Sequence, residues 1–164
     1  MTWLRRIGLP KPQRVRLAIT DHYEPYWKRA DELPSWERVG RWRKAWPEIA
    51  ERSVKDSARG TPKYTFFYPE EEYRAELLDH LAEMTRAGIA DVEIHIHRDR
   101  ERRQNFIDRM SSFRETLHRR HGLLRADNGR NSLPNGERCG LNDETTSLRE
   151  LGCYADFTML LNTV

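Results

Sequence analysis

Two segments of this sequence carry side chains that could grip one metal ion between them. Val92-Glu93-Ile94-His95-Ile96-His97 alternates apolar and polar residues with the period of a strand, so Glu93, His95 and His97 share one face. Two imidazoles at i and i+2 can ligate a single cation, and neutral imidazole suits zinc, iron or nickel. Thr20-Asp21-His22-Tyr23-Glu24-Pro25 places a carboxylate and an imidazole just past another apolar strand. If the two strands run parallel in one sheet, their C-terminal ends meet where such folds put their active sites. Asp21, His95 and His97 then make a two-histidine, one-carboxylate set with open positions, as a hydrolytic metal centre needs. The plainer alternative is a half-exposed strand with solvated histidines and an Asp21 that only caps a turn. Parity groups Asp21 with Leu17 and Ile19 and sets His22 apart, and beyond the strand end alternation does not decide which of the two points at the site.

The elements that must position these residues alternate strand and helix, which argues for an α/β fold with a parallel sheet or barrel. Arg14 to Asp21 reads as the first strand. Ser35 is a good N-cap for a helix to about Ser53, with Trp36, Val39, Arg43, Trp46 and Ile49 or Ala50 at helical spacing. Those tryptophans read as core, and Pro47 predicts a kink or a division. Tyr64 to Tyr68 is a short aromatic and β-branched strand. Glu70-Glu71-Glu72 suits the start of a helix whose stripe is Tyr73, Leu77, Leu81 and Met84, stopped by Gly88. After the third strand, Val92 to His97, comes a long helix with Phe106, Met110, Phe113 and Leu117 inward, ending at Gly122. His80, His118 and His121 read as surface residues. Leu123 to Gly140 is loop-like; a short helix from about Asp143 to Leu151 and a fourth strand, Tyr154 to Met159, complete the order.

Composition narrows the partners. Charged residues make up 34% of the 164, but 29 Lys and Arg against 26 Asp and Glu leave a formal net charge of only +3. The signs alternate, as in Arg98-Asp99-Arg100-Glu101, where nucleic-acid binding prefers a clustered basic patch. Nucleic acid is therefore not the expected partner, although the Arg-rich helix keeps it as a third reading. Cys139 and Cys153 are too few for a disulfide framework, and no CxxC pair offers a thiolate zinc knuckle. Met1 to Gln13 lacks the apolar run of a signal peptide, and no stretch is long enough to span a bilayer. These features point to the cytoplasm and away from a membrane.

Five stretches in order resemble a bacterial branch of the polysaccharide deacetylase-like (NodB-like) family. They are Ala18-Ile19-Thr20-Asp21-His22-Tyr23-Glu24-Pro25, Tyr64-Thr65-Phe66-Phe67-Tyr68-Pro69-Glu70-Glu71-Glu72-Tyr73 and Val92-Glu93-Ile94-His95-Ile96-His97-Arg98-Asp99. Cys139-Gly140-Leu141-Asn142-Asp143-Glu144 and the run from Leu148 to Thr158 follow. The resemblance implies a distorted (β/α) barrel with a divalent metal, zinc first, at the C-terminal ends of its strands. It implies hydrolysis of an acetyl group on a carbohydrate, with Asp21, His95 and His97 as metal ligands. Where the family pattern has a first acid, this sequence has Thr20; His22, Glu24 and Glu93 are the candidates for the acid–base work. Four strands fall short of a (β/α) barrel, which takes about 200 residues or more, so the expectation is a partial barrel, one incomplete domain over 1–164. A scaffold or interaction module with structural histidines is the rival from another class.

Overall fold

The structure, a computed structural model, describes residues 17–26, 32–56, 59–96, 102–124 and 144–153. Three strands, β1 (Ile19–His22), β2 (Tyr64–Pro69) and β3 (Ala90–His95), form a parallel sheet in the order β1-β2-β3. Helix α1 (Glu32–Arg52) connects the first pair and α2 (Ala75–Arg86) the second. Helices α3 (Arg103–His121) and α4 (Glu144–Glu150) follow. This is a mixed α/β architecture of consecutive βαβ units, as the alternating pattern requires. The expected fourth strand, Tyr154 to Met159, lies outside the described residues.

Register assigns every strand residue to a face. Ile19 pairs with Tyr64 and Tyr64 with Ala90; His22 pairs with Phe67 and Phe67 with Glu93. Tyr64, Phe66 and Tyr68 therefore share a face with Ile19, Asp21, Val92 and Ile94. Helices cover this face. Trp42 of α1 lies 4.6 Å from the Tyr64 ring and 5.7 Å from Phe66, and Tyr68 lies 6.2 Å from Phe113 of α3. The opposite face carries His22, Phe67, Glu93 and His95, so the alternation in the third strand does direct its polar side chains away from the helices.

The helices bury the stripes their spacing predicts. Leu77, Leu81 and Met84 of α2 are buried, joined by Leu78 and Ala82. Phe106, Met110, Phe113 and Leu117 do the same on α3, each such burial stabilising by about 1.5–3 kcal/mol. Gly88 (φ 75°) and Gly122 (φ 66°) end α2 and α3 in the left-handed region where glycine carries no Cβ penalty. Leu148 and Leu151 seat α4 against α3, and Arg114 Nη1 donates to the Leu151 carbonyl at 2.9 Å. Among the described residues no helix is long and apolar enough to cross a membrane.

Several expectations are corrected. Helix α1 starts at Glu32, so Ser35 is a fully buried residue within its first turns and not its cap. Pro47 does not divide α1: the amide it lacks removes a single internal bond, while Trp46 and Ala50 anchor the turns beside it. Ala50 faces the core and Ile49 is 51% exposed. Glu70–Glu72 form a separate 3₁₀ turn, because Pro69 ends the strand and Tyr73 turns extended before α2 begins.

Burial of two phenols has a consequence at high pH. Tyr23 and Tyr68 stack at 5.8 Å, and burial pushes both well above the ordinary phenol range; a backbone N–H from Arg74 onto the Tyr68 oxygen opposes this only partly. A raised folded value means that the unfolded chain releases these protons first. Stability is therefore full below about pH 10, where a free phenol titrates, and falls as pH rises beyond it. Denaturant midpoints measured from pH 8 upward are expected to hold and then decline above pH 10, with a shallower decline in Tyr68→Phe.

Candidate metal centre

Strand β1 ends at His22, but its ladder does not: the Tyr23 N–H donates to the Phe67 carbonyl at 2.8 Å. The extended alternation carries on one residue further and brings Glu24 to the same face as His22. From β3, His95 reaches that face at the C-terminal end of its strand. The three side chains meet. His22 Nδ1 lies 2.9 Å from Glu24 Oε1, and His95 Nε2 lies 3.2 Å from the same oxygen. The two imidazole rings are 4.2 Å apart, centre to centre.

Each of the three offers one ligating atom, and all three atoms fall within 4.8 Å of one another. A tetrahedral ion with ligands at 2.0–2.1 Å holds its donors about 3.3 Å apart. The two spacings to Glu24 Oε1 lie within a few tenths of an ångström of that, and the two imidazole nitrogens lie within 4.8 Å of each other. With protons on these nitrogens both rings donate to the carboxylate; with the nitrogens deprotonated, the same three atoms present lone pairs to a cation. The His95 side chain is 1% exposed and that of Glu24 9%, whereas His22 is half exposed. The group is thus fixed on its inner side and open on its outer one, where a water or a substrate can enter.

No protein-family model, no curated protein and no solved structure matches this chain.

Of the residues singled out from sequence, the structure brings His22, Glu24 and His95 together. Asp21 is not among them. Its parity places it on the helix-covered face, where the Tyr64 phenol donates to Asp21 Oδ2 over 3.4 Å. Burial, followed by the charge and hydrogen bond of Asp21, raises the pKa of that phenol. The carboxylate of the set is Glu24, an acid–base candidate by sequence. The signal was there: His22-x-Glu24 repeats the i, i+2 spacing of His95-x-His97. Glu93 is partly buried, two residues before His95 on the same face and in register with Phe67 and His22. His97 lies outside the described residues.

His121 was expected at the surface and is buried. Its Nδ1 bonds Asp79 Oδ1 at 2.8 Å and its Nε2 faces the Tyr73 hydroxyl at 3.3 Å. The long-range partners that bury it cannot be seen in the helix-end motif alone.

Proposed function

We propose that this chain is a divalent-metal-dependent hydrolase of the carbohydrate deacetylase type, with His22, Glu24 and His95 as metal ligands. One observation carries the reading: two imidazoles and a carboxylate converge within 4.8 Å at the C-terminal end of a parallel sheet. Zinc is the first choice of ion, because the set leaves a position open as catalytic zinc sites do; the same donors also serve iron(II). We read the three strands as part of a (β/α) barrel whose inner face is the one bearing His22, Phe67, Glu93 and His95.

A divalent ion in this site supplies Lewis-acid polarisation of an acyl carbonyl and makes water more acidic. The chain's residues do the rest. Glu93 takes the proton from the attacking water and returns it to the leaving nitrogen or oxygen of the sugar. The Phe67 ring, 6.0 Å from His22, forms an apolar wall beside the ligands that keeps bulk water from one side. Glu24, an acid–base candidate by sequence, is committed to the ligand set here and leaves that work to Glu93.

The test is zinc binding by calorimetry together with hydrolysis of N-acetylglucosamine oligomers and of an O-acetyl ester. About one ion per chain and acetate release that stops on chelation are the expected results. Glu93→Gln should keep the ion and lose about a hundredfold or more in rate. A chain that binds neither zinc nor iron(II) at micromolar concentration sinks the proposal; an ion bound without acetate release removes the deacetylase assignment and leaves the site.

A further inference from the structure

Helix α1 has more apolar surface than the sheet uses. Its buried stripe is Ser35, Val39, Trp46 and Ala50. Beside it runs a second stripe, Arg38, Arg41, Trp42, Ala45 and Ile49, which lines an open trough of about 380 Å³. Ile49 is 51% exposed, and Arg38, Arg41 and Ala45 are exposed as well. Leu17 before β1 and Val54 after α1, at 84% and 91%, are the other large apolar side chains exposed among the described residues.

The charges along α1 say what fits there. Counted outward from Lys44 and Ala45, Arg41 is mirrored by Glu48, Arg38 by Glu51 and Glu37 by Arg52. Arg43 is mirrored by Trp46 and Lys44 by Ala45, so no charged residue from Glu37 to Arg52 meets its own sign. About a centre one residue away, Trp42 exchanges with Ala45 and the Arg38 stem with Ile49, a difference in register of about 3 Å between the two helices. At about 100° per residue, Arg41 marks the edge of this stripe that faces away from the sheet, and Glu37, Glu48 and Arg52 line the same edge. Two antiparallel copies related by a two-fold axis bring like flanks together, so all four residues meet opposite charges.

We infer that this face of α1 binds a second copy of this chain, in an isologous antiparallel helix pair. Trp42, Ala45 and Ile49 form the contact, and Arg41–Glu48 and Glu37–Arg52 pairs across the axis set its register. Exposed ion pairs contribute little individually, so their role is to choose one alignment, while the apolar stripe supplies the affinity. In the single chain Glu48 and Arg52 make only a 3.9 Å pair on the helix surface, with side chains 71% and 82% exposed, which leaves both able to reach across. This inference stands apart from the metal reading.

Sedimentation over a concentration series decides it, with circular dichroism to confirm that each variant folds. The wild-type chain is expected to dimerise. Arg41→Glu alone and Glu48→Arg alone each set like charges together twice by symmetry and should raise the dissociation constant about tenfold or more, equivalent to about 1.4 kcal/mol. An equimolar mixture of the two variants restores every opposite pair and should dimerise like wild type, as should the doubly exchanged chain. Ile49→Asp should abolish the dimer. A wild-type chain that stays monomeric throughout overturns the inference. So does a dimer that is indifferent to the single reversals, or whose loss the mixture does not repair.

Discussion

On the proposed ligand set, alanine in place of His95 is expected to weaken zinc binding by about a thousandfold, beyond the 10–100-fold that loss of an outer partner costs at a metal site. The reason is placement. His22 sits at the sheet edge with half its side chain in water, and Glu24 is on the segment beyond β1; His95 is at the end of β3, packed to 1% exposure. It is the donor least able to be replaced by a neighbouring side chain or by solvent. Zinc at a hundred times its dissociation constant adds about 2.7 kcal/mol of stability, so thermal unfolding with and without zinc reads the same loss a second way. Asp21→Ala is the control, since Asp21 lies across the sheet against Tyr64; binding there should be unchanged. Affinity should also fall as pH is lowered, because protons compete for the same nitrogens. If Asp21→Ala lost the ion and His95→Ala kept it, the ligand assignment would be reversed.

That comparison bears on what the sequence could tell. The polar face of β3 was legible because alternation over Val92 to Ile96 is unbroken, and β-structure turns alternation directly into direction. At the end of β1, where Asp21 and His22 compete, local pattern gives no such answer. Alternation is lost there only if the strand stops at His22. The Tyr23 N–H to Phe67 carbonyl bond continues the ladder, so parity holds through Glu24 and sets His22 and Glu24 on the face opposite Asp21. That bond depends on the register of β1 against β2, a long-range property that local pattern does not contain. Helix stripes on α2 and α3 were legible for the same reason as β3: their partners lie on one side, and spacing alone defines that side. The limits of α1 were not, since Ser35 looks like a cap by chemistry and the sheet makes it core.

Alanine in place of His121 is the second large loss, about 2–4 kcal/mol of folding stability, combining a cavity with broken polar contacts. The imidazole is fully buried at the last residue of α3 and holds two other elements at once. Through Nδ1 it bonds Asp79 on α2; through Nε2 it faces the hydroxyl of Tyr73 in the turn ahead of α2. Directly after it, Gly122 turns left-handed and the Leu123 N–H returns to the Leu117 carbonyl, so the ring fixes the point where α3 stops. Asp79 is mostly exposed and recovers water when the ring is gone, which is why Asp79→Ala should cost less than His121→Ala, about 1 kcal/mol. Tyr73→Phe removes the other contact while keeping the ring that packs edge-on against Phe113 at 6.1 Å. A cycle of Tyr73→Phe and His121→Ala, measured by denaturant unfolding, should show a coupling of about 0.5 kcal/mol or more, as expected for residues in contact. Additive losses in that cycle would mean that His121 acts only by filling space, and that the polar bridge between α3 and the Tyr73 turn contributes nothing.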